Sequence, residues 1–341
     1  MKKWIRKITL ALSGFIVLVA IAGSLYEAIG RRNAAREFPP PGKMVDIGGR
    51  CIQLDCRGTG SPVVVFESGL DINGSLSWSM VQDSIAETTR ACSYSRAGIM
   101  WSDPRDGTQN GKTIAEDLHT VLALAGERPP YVLVGHSLGG PYIMTFSKYF
   151  GMDVAGLVFV DASHPEQVQR FKAITKKEPS AMLYKTGALL AWAGVVRAAK
   201  PLLGGLPHQP AQAVQAMAAY ASTSLGAMLK ELDAIDQTLA EAGTIRQLGD
   251  RPLFVLTSMA PLSAKALAAM KLTPKQGKQR KEIWKKMHDD EAAWSTSSQH
   301  QLIPDAGHYI QFDRPDLVTT AVLSVVKSVR TKAIGVSGRH I

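Results

Sequence analysis

The chain has 341 residues, 45% hydrophobic and 7% aromatic, which supplies enough apolar material for a large folded body and excludes bulk disorder. Its net charge is +10, yet the basic residues are dispersed apart from the N-terminus and a run at 265–286. No nucleic-acid-binding pattern accompanies them, so nucleic acid is not an expected partner, while a mild attraction to anionic membrane surface is.

Lys2, Lys3, Arg6 and Lys7 precede an uncharged apolar segment from Ile8 to Tyr26. That is about the ~20 residues needed to cross a bilayer core. The positive leading end predicts a single-pass anchor with the N-terminus in the cytoplasm and the body beyond the membrane, although Arg31, Arg32 and Arg36 weaken the asymmetry. The rival is a secreted protein released by signal-peptide cleavage at Ala20-Ile21-Ala22; apolar character continuing past that site favours the anchor. Residues 1–36 are thus read as anchor and flank, and the Pro-rich 37–42 as a stiff linker.

Two strand-like runs, Met44–Asp46 and Cys51–Asp55, flank Gly48-Gly49 and predict a hairpin. The β-branched run Pro62–Phe66 reads as a central strand covered on both faces. A helix is expected over Ser77–Thr89, a strand over Ala91–Tyr94, and a further helix behind a capping box at Thr113-Ile114-Ala115-Glu116. Next comes the most informative stretch. The apolar run Tyr131–Val134 ends in Gly135-His136-Ser137-Leu138-Gly139, and a helical pattern follows at once. Strand, sharp G-x-S-x-G turn and helix together predict a nucleophile elbow, with glycines where the strained turn leaves no room for side chains. Val154–Val160 is another buried strand, closed by Asp161; Leu253–Thr257 and Gln301–Ile303 are later strands, and Asp316–Arg330 is a final amphipathic helix. Strands alternating with helices predict an α/β fold, a mostly parallel central sheet with helices on both faces. The interval 164–249 breaks that rhythm with Ala-, Leu- and Met-rich helical spacing and reads as an inserted helical cap. The core is then 43–163 plus 250–332, with a tail at 333–341.

A serine hydroxyl needs a base and the base needs an orienting carboxylate. Ser137 is the expected nucleophile. His308, in the loop between the last strand and the last helix, is the expected base, with His136 as runner-up. Asp161 at a strand's carboxyl end is the expected acid, although it could merely cap the turn; Asp289, Asp290 and Asp305 are alternatives. The backbone N–H groups of Leu138 and Leu70 are expected to hold the oxyanion. Glu67 beside them is expected to turn away and hydrogen-bond within its loop. Cys51, Cys56 and Cys92 permit one disulfide with one free thiol, and each also reads as a small core residue. No histidine or cysteine spacing suggests a metal.

The segments Phe66-Glu67-Ser68-Gly69, Cys92–Gly98, Gly135–Gly140, Val160–Pro165 and Gly307–Gln311, in that order, resemble the α/β-hydrolase superfamily over roughly Gly42 to Lys332. The nearest likeness is to its bacterial membrane-anchored members with bodies like esterases and prolyl aminopeptidases. Ser95 stands where such proteins usually carry Asp, and Met100 where many carry Gly. The resemblance implies a serine hydrolase acting on a small-molecule ester or amide without metal or cofactor; a serine at the elbow argues against the carboxylate-nucleophile chemistry of haloalkane dehalogenases and epoxide hydrolases. A peptidase using Glu231, Asp233 or Asp236 to hold a substrate ammonium is the second reading, and a catalytically silent binding scaffold the third.

Overall fold

The computed structural model describes residues 2–172, 174, 182–199 and 204–337. Among the described residues a long helix, α1 (Lys2–Glu37), leads into eight strands: β1 (Lys43–Asp46), β2 (Cys51–Arg57), β3 (Val63–Glu67), β4 (Ala91–Tyr94), β5 (Tyr131–His136), β6 (Val154–Val160), β7 (Leu253–Ser258) and β8 (Ser298–Ile303). They form one sheet in the order β1-β2-β4-β3-β5-β6-β7-β8. The β1-β2-β4 edge is antiparallel and every pairing from β4 to β8 is parallel.

Alternation along each strand splits the core into two layers. Val65, Leu133, Leu157 and Val255 face α3 (Gly111–Ala125) and α4 (Gly139–Tyr149). Val64, Val132, Val158 and Leu256 face α2 (Gln82–Ala86) and the last helix. With both faces covered, the central strands carry the continuous apolar runs seen in the sequence.

Between β6 and β7 lie α5 (Gln167–Phe171), α6 (Met182–Leu189), a 3-10 turn at Ala191–Ala193, α7 (Val195–Ala198), α8 (Ala211–Asp233) and α9 (Ile235–Ala242). These are the inserted helices; residues 173, 175–181 and 200–203 of the expected cap lie outside the described residues. After β7 come α10 (Ala264–Ala269) and α11 (Pro274–Ala292); after β8, α12 (Ile310–Asp313) and α13 (Pro315–Ser337).

Four local expectations change. The helix expected over Ser77–Thr89 is a 3-10 turn at Gly74–Trp78 followed by the single turn of α2. Ser77 is drawn out of helical use by Asp71 (3.3 Å), and Trp78 is fully buried on Phe66, ring centroids 4.8 Å apart. The capping box of α3 starts three residues early. Asn110 accepts from the Thr113 N–H (3.0 Å), and the Thr113 hydroxyl accepts from the Asn110 N–H (3.1 Å). Asn caps a helix as well as Thr does, so Thr113 is the third helical residue and not the cap. The basic run is largely α11, opened by the Thr273–Gln276 capping box with Pro274 at its first position. α13 runs to Ser337, so the first residues of the expected tail are helical, and 338–341 lie outside the described residues. Cys56 and Cys92, directly paired across β2 and β4, form a disulfide and leave Cys51 free.

Candidate active site

Parallel strands end on one edge, so the segments after β3, β5, β6, β7 and β8 converge. At the end of β5, Ser137 sits at φ 54, in the left-handed region. The turn is possible because the residues two positions either side lack Cβ atoms: one on Gly135 would lie 2.6 Å from the Gly139 oxygen, and one on Gly139 would lie 2.4 Å from the Glu67 oxygen. Ser137 Oγ lies 2.9 Å from His308 Nε2, and His308 Nδ1 lies 2.7 Å from Asp161 Oδ2. The three residues singled out in the sequence therefore meet as one hydrogen-bonded chain.

Asp161, also left-handed at φ 46, is buried and receives three further donors: the Ser258 N–H and hydroxyl and the Trp284 indole N–H, each at 2.8 Å. Its partners come from β7, α11 and the β8–α12 loop, so it is a long-range hub and not a local turn cap. Burial alone raises its pKa; the His308 hydrogen bond and the charges of His308, His288 and Lys281 outweigh that and hold it well below the usual carboxylate range. The other acids point elsewhere: Asp290 pairs with Arg170, Asp289 with Lys285, and Asp305 with Arg314.

His136 does not serve Ser137. Its Nε2 donates to the His308 carbonyl (2.9 Å), and burial, then the charge of His308, depresses its pKa to about 3, so it stays neutral beneath the ring it supports.

The segment after β3 presses against the serine: a Cβ on Gly69 would lie 2.8 Å from Ser137 Cβ. Among the described residues, neither the Leu70 nor the Leu138 N–H donates to a protein acceptor, so both predicted oxyanion donors are unengaged. Glu67 does turn away, but its partners are across on β4 and beyond, not in its own loop: the Tyr94 hydroxyl (2.5 Å) and Arg96 (2.7 Å). Burial pushes Glu67 up to about 7 despite the Arg96 charge.

Arg96, part of the Cys92–Gly98 segment but given no role from the sequence, organises this edge. Fully buried, it donates to Glu67, to the Ser68 and Gly69 carbonyls (2.8 and 2.6 Å), and through two nitrogens to Glu231 of α8, each at 2.8 Å. Gln109 (2.8 Å) and Tyr142 (3.3 Å) complete the shell of Glu231. A lone arginine in a motif gives no sequence signal of a carboxylate 135 residues away. The expectation that Glu231 could hold a substrate ammonium is corrected: Arg96 already neutralises it in a buried site. Asp233 is exposed and pairs with Lys185, and Asp236 lies exposed in the first turn of α9.

His164, Glu166 and Asp290 are close enough to surround a cation, but Arg170 already binds both carboxylates. Cys56 and Cys92, near Glu127, are bonded to each other.

Residues 30–321 match the Alpha/beta hydrolase family. The chain belongs to that family. Among solved structures, this family member is similar to a thermophilic esterase from Thermogutta terrifontis (18% identity, TM-score 0.56, covering 84% of this chain and 98% of that one). It is also similar to a bromoperoxidase from Bacillus anthracis (18% identity, TM-score 0.59, 84% and 99%). These likenesses speak to the α/β-hydrolase fold. Among curated proteins it matches the probable transporter efuK of Hormonema carpetanum, 37% identical over 113 residues, and YbdG of Bacillus subtilis, 22% identical over 171. Those matches cover 31% and 50% of this chain but only 16% and 53% of the relatives.

Proposed function

We propose that the chain is a serine hydrolase that cleaves a carboxylic ester through an acyl-enzyme. The observation that carries this reading is the unbroken Ser137–His308–Asp161 chain at 2.9 and 2.7 Å, with two unengaged N–H donors beside it. Ser137 Oγ attacks the ester carbonyl as His308 Nε2 takes its proton. Asp161 holds the Nδ1–H and stabilises the imidazolium. The Leu138 and Leu70 N–H groups hold the tetrahedral oxyanion. His308 then gives the proton to the leaving alkoxide, and water, deprotonated by the same ring, releases the acid. Nothing in this sequence of steps calls for a metal or cofactor. Esterase and N-acyl homoserine lactone degrading neighbours of the same fold support carbonyl chemistry. The engagement of Glu231 by Arg96 favours an ester over an aminoacyl substrate.

In the same reading α1 is an uncleaved membrane anchor with the body outside the cytoplasm. Support comes from a helix long and apolar enough to span, none of whose apolar window is buried, and from the Cys56–Cys92 disulfide, which suits an oxidising compartment. The division into a core of 43–163 and 250–332 and a cap of 164–249 belongs to this proposal too.

The test is a fluorophosphonate probe on the wild type and Ser137→Ala, followed by a p-nitrophenyl ester chain-length series beside aminoacyl-nitroanilides. Labelling that depends on Ser137, with esters turned over faster than anilides, is the expected result. Labelling that survives Ser137→Ala, or preference for the anilides, would overturn it.

A further inference from the structure

α1 does not leave the body as a loose tether. A Cβ on Gly23 would lie 2.3 Å from the Ala193 oxygen, and one on Gly194, at φ 72, would lie 2.8 Å from the Tyr26 ring. The small residues let the Ala191–Ala193 turn sit directly on the helix. One turn further, Glu27 is buried and binds Arg197 of α7 (2.9 Å), Ser222 of α8 (2.7 Å) and Arg31 (2.8 Å). The inserted helices are therefore clamped at a fixed height on α1.

That height matters. Ile8–Tyr26 is about 28 Å of helix, one bilayer core. Gly23 and Tyr26 lie in its last turn, so the Ala191–Ala193 turn is held at the level where hydrocarbon meets headgroups. The side chains around it match that level: Leu189 is 72% exposed, Trp192 53% and Val195 45%, with Leu190 beside them. A protein bathed in water rarely gathers such residues on one short segment, and Trp is favoured at the membrane boundary. The inner side of the same segment, Ala191 and Val196, packs on Ala221 and on Ile72, two residues past Leu70. The inner side of the ridge thus touches the segment that follows the expected oxyanion loop.

We infer that Leu189–Val195 is a second membrane contact, an interfacial ridge seated in the outer-leaflet boundary beside α1, and that it delivers esters carried by bilayer amphiphiles to Ser137. This rests on the anchor and ester-hydrolase readings above, and the experiment separates the three.

The full chain is reconstituted in phosphatidylethanolamine–phosphatidylglycerol vesicles with and without brominated acyl chains. Trp192→Phe supplies the difference signal from the other tryptophans without disrupting the fold. Wild type should lose a bromine-quenched component that Trp192→Phe lacks. Replacing Leu189 and Trp192 by Ser should lower the ratio of bilayer-ester to soluble short-chain-ester turnover about tenfold, since each removes an exposed apolar group that would otherwise enter the bilayer boundary. Equal quenching in wild type and Trp192→Phe, in a chain that still resists carbonate extraction, overturns the ridge; that holds whether water or a second copy covers it. An unchanged turnover ratio overturns the delivery role. A chain stripped by carbonate overturns the anchor, and absence of all ester turnover overturns the hydrolase reading while the quenching result still decides the ridge.

Discussion

At the residue scale, the expected site is three side chains that gain their properties from different surroundings. Ser137→Ala should reduce ester turnover on the order of a million-fold with the fold intact, and Asp161→Asn roughly ten-thousand-fold, because the imidazole loses its orienting charge. Steady-state rates beside thermal melts check both, with Asp289→Asn as the near-neutral control. Glu231→Gln should destabilise the protein by about 3 kcal/mol, since Arg96 would keep its charge in a buried site with less compensation; chemical denaturation reads this. Buried histidines set a pH dependence. Burial, then the charge of Arg170, depresses His164 from 6.5 to about 4. The unfolded chain therefore binds more protons across that window, and this residue's contribution to stability is lost as pH falls from about 6.5 to 4. Glu67, raised to about 7, works in the opposite sense over part of the same range, so the comparison must be between proteins. His164→Gln should show a shallower fall in melting temperature between those pH values than wild type.

At the scale of elements, the antiparallel edge is stapled to the parallel sheet by Cys56–Cys92, which closes a loop of 36 residues. Paired Ala replacements of both cysteines should cost about 2–4 kcal/mol, a loop-closure magnitude, read by denaturant melts under non-reducing conditions. α3 and α11 show why helix starts are hard to place from sequence: several polar residues in each lead-in can cap, and the backbone settles the choice. For α11 the capping signal is present in Thr273-Pro274 and Gln276, embedded in a lysine-rich run.

At the scale of the whole molecule, α1 and the inserted helices form one unit, joined through Glu27 and Arg197. If α1 is an uncleaved anchor, membranes washed with carbonate should retain the protein, and N-terminal sequencing should begin at the leader; a soluble product starting near Gly23 would show cleavage instead. Protease added to spheroplasts should digest the body, whereas protection would place it in the cytoplasm.

The sequence alone determined the α/β alternation, because strands covered on both faces must be apolar throughout while their connecting helices carry a 3.6-residue stripe. It determined the strand–turn–helix at Ser137 for an equally local reason: only glycine fits two positions either side of Ser137 in that turn. His308 and Asp161 were legible as residues following strands of a parallel sheet, whose ends share one edge. What only the tertiary structure decided were contacts between residues far apart in the chain: the Trp284 and Ser258 donors on Asp161, the Arg96–Glu231 pair under the Ser68–Gly69 segment, the choice of Cys92 as partner for Cys56, and the seating of Gly23 on Ala193. None leaves a periodic trace. Each depends on which surfaces meet after the sheet is built, and a pattern read along one chain cannot encode the distance between two of its faces.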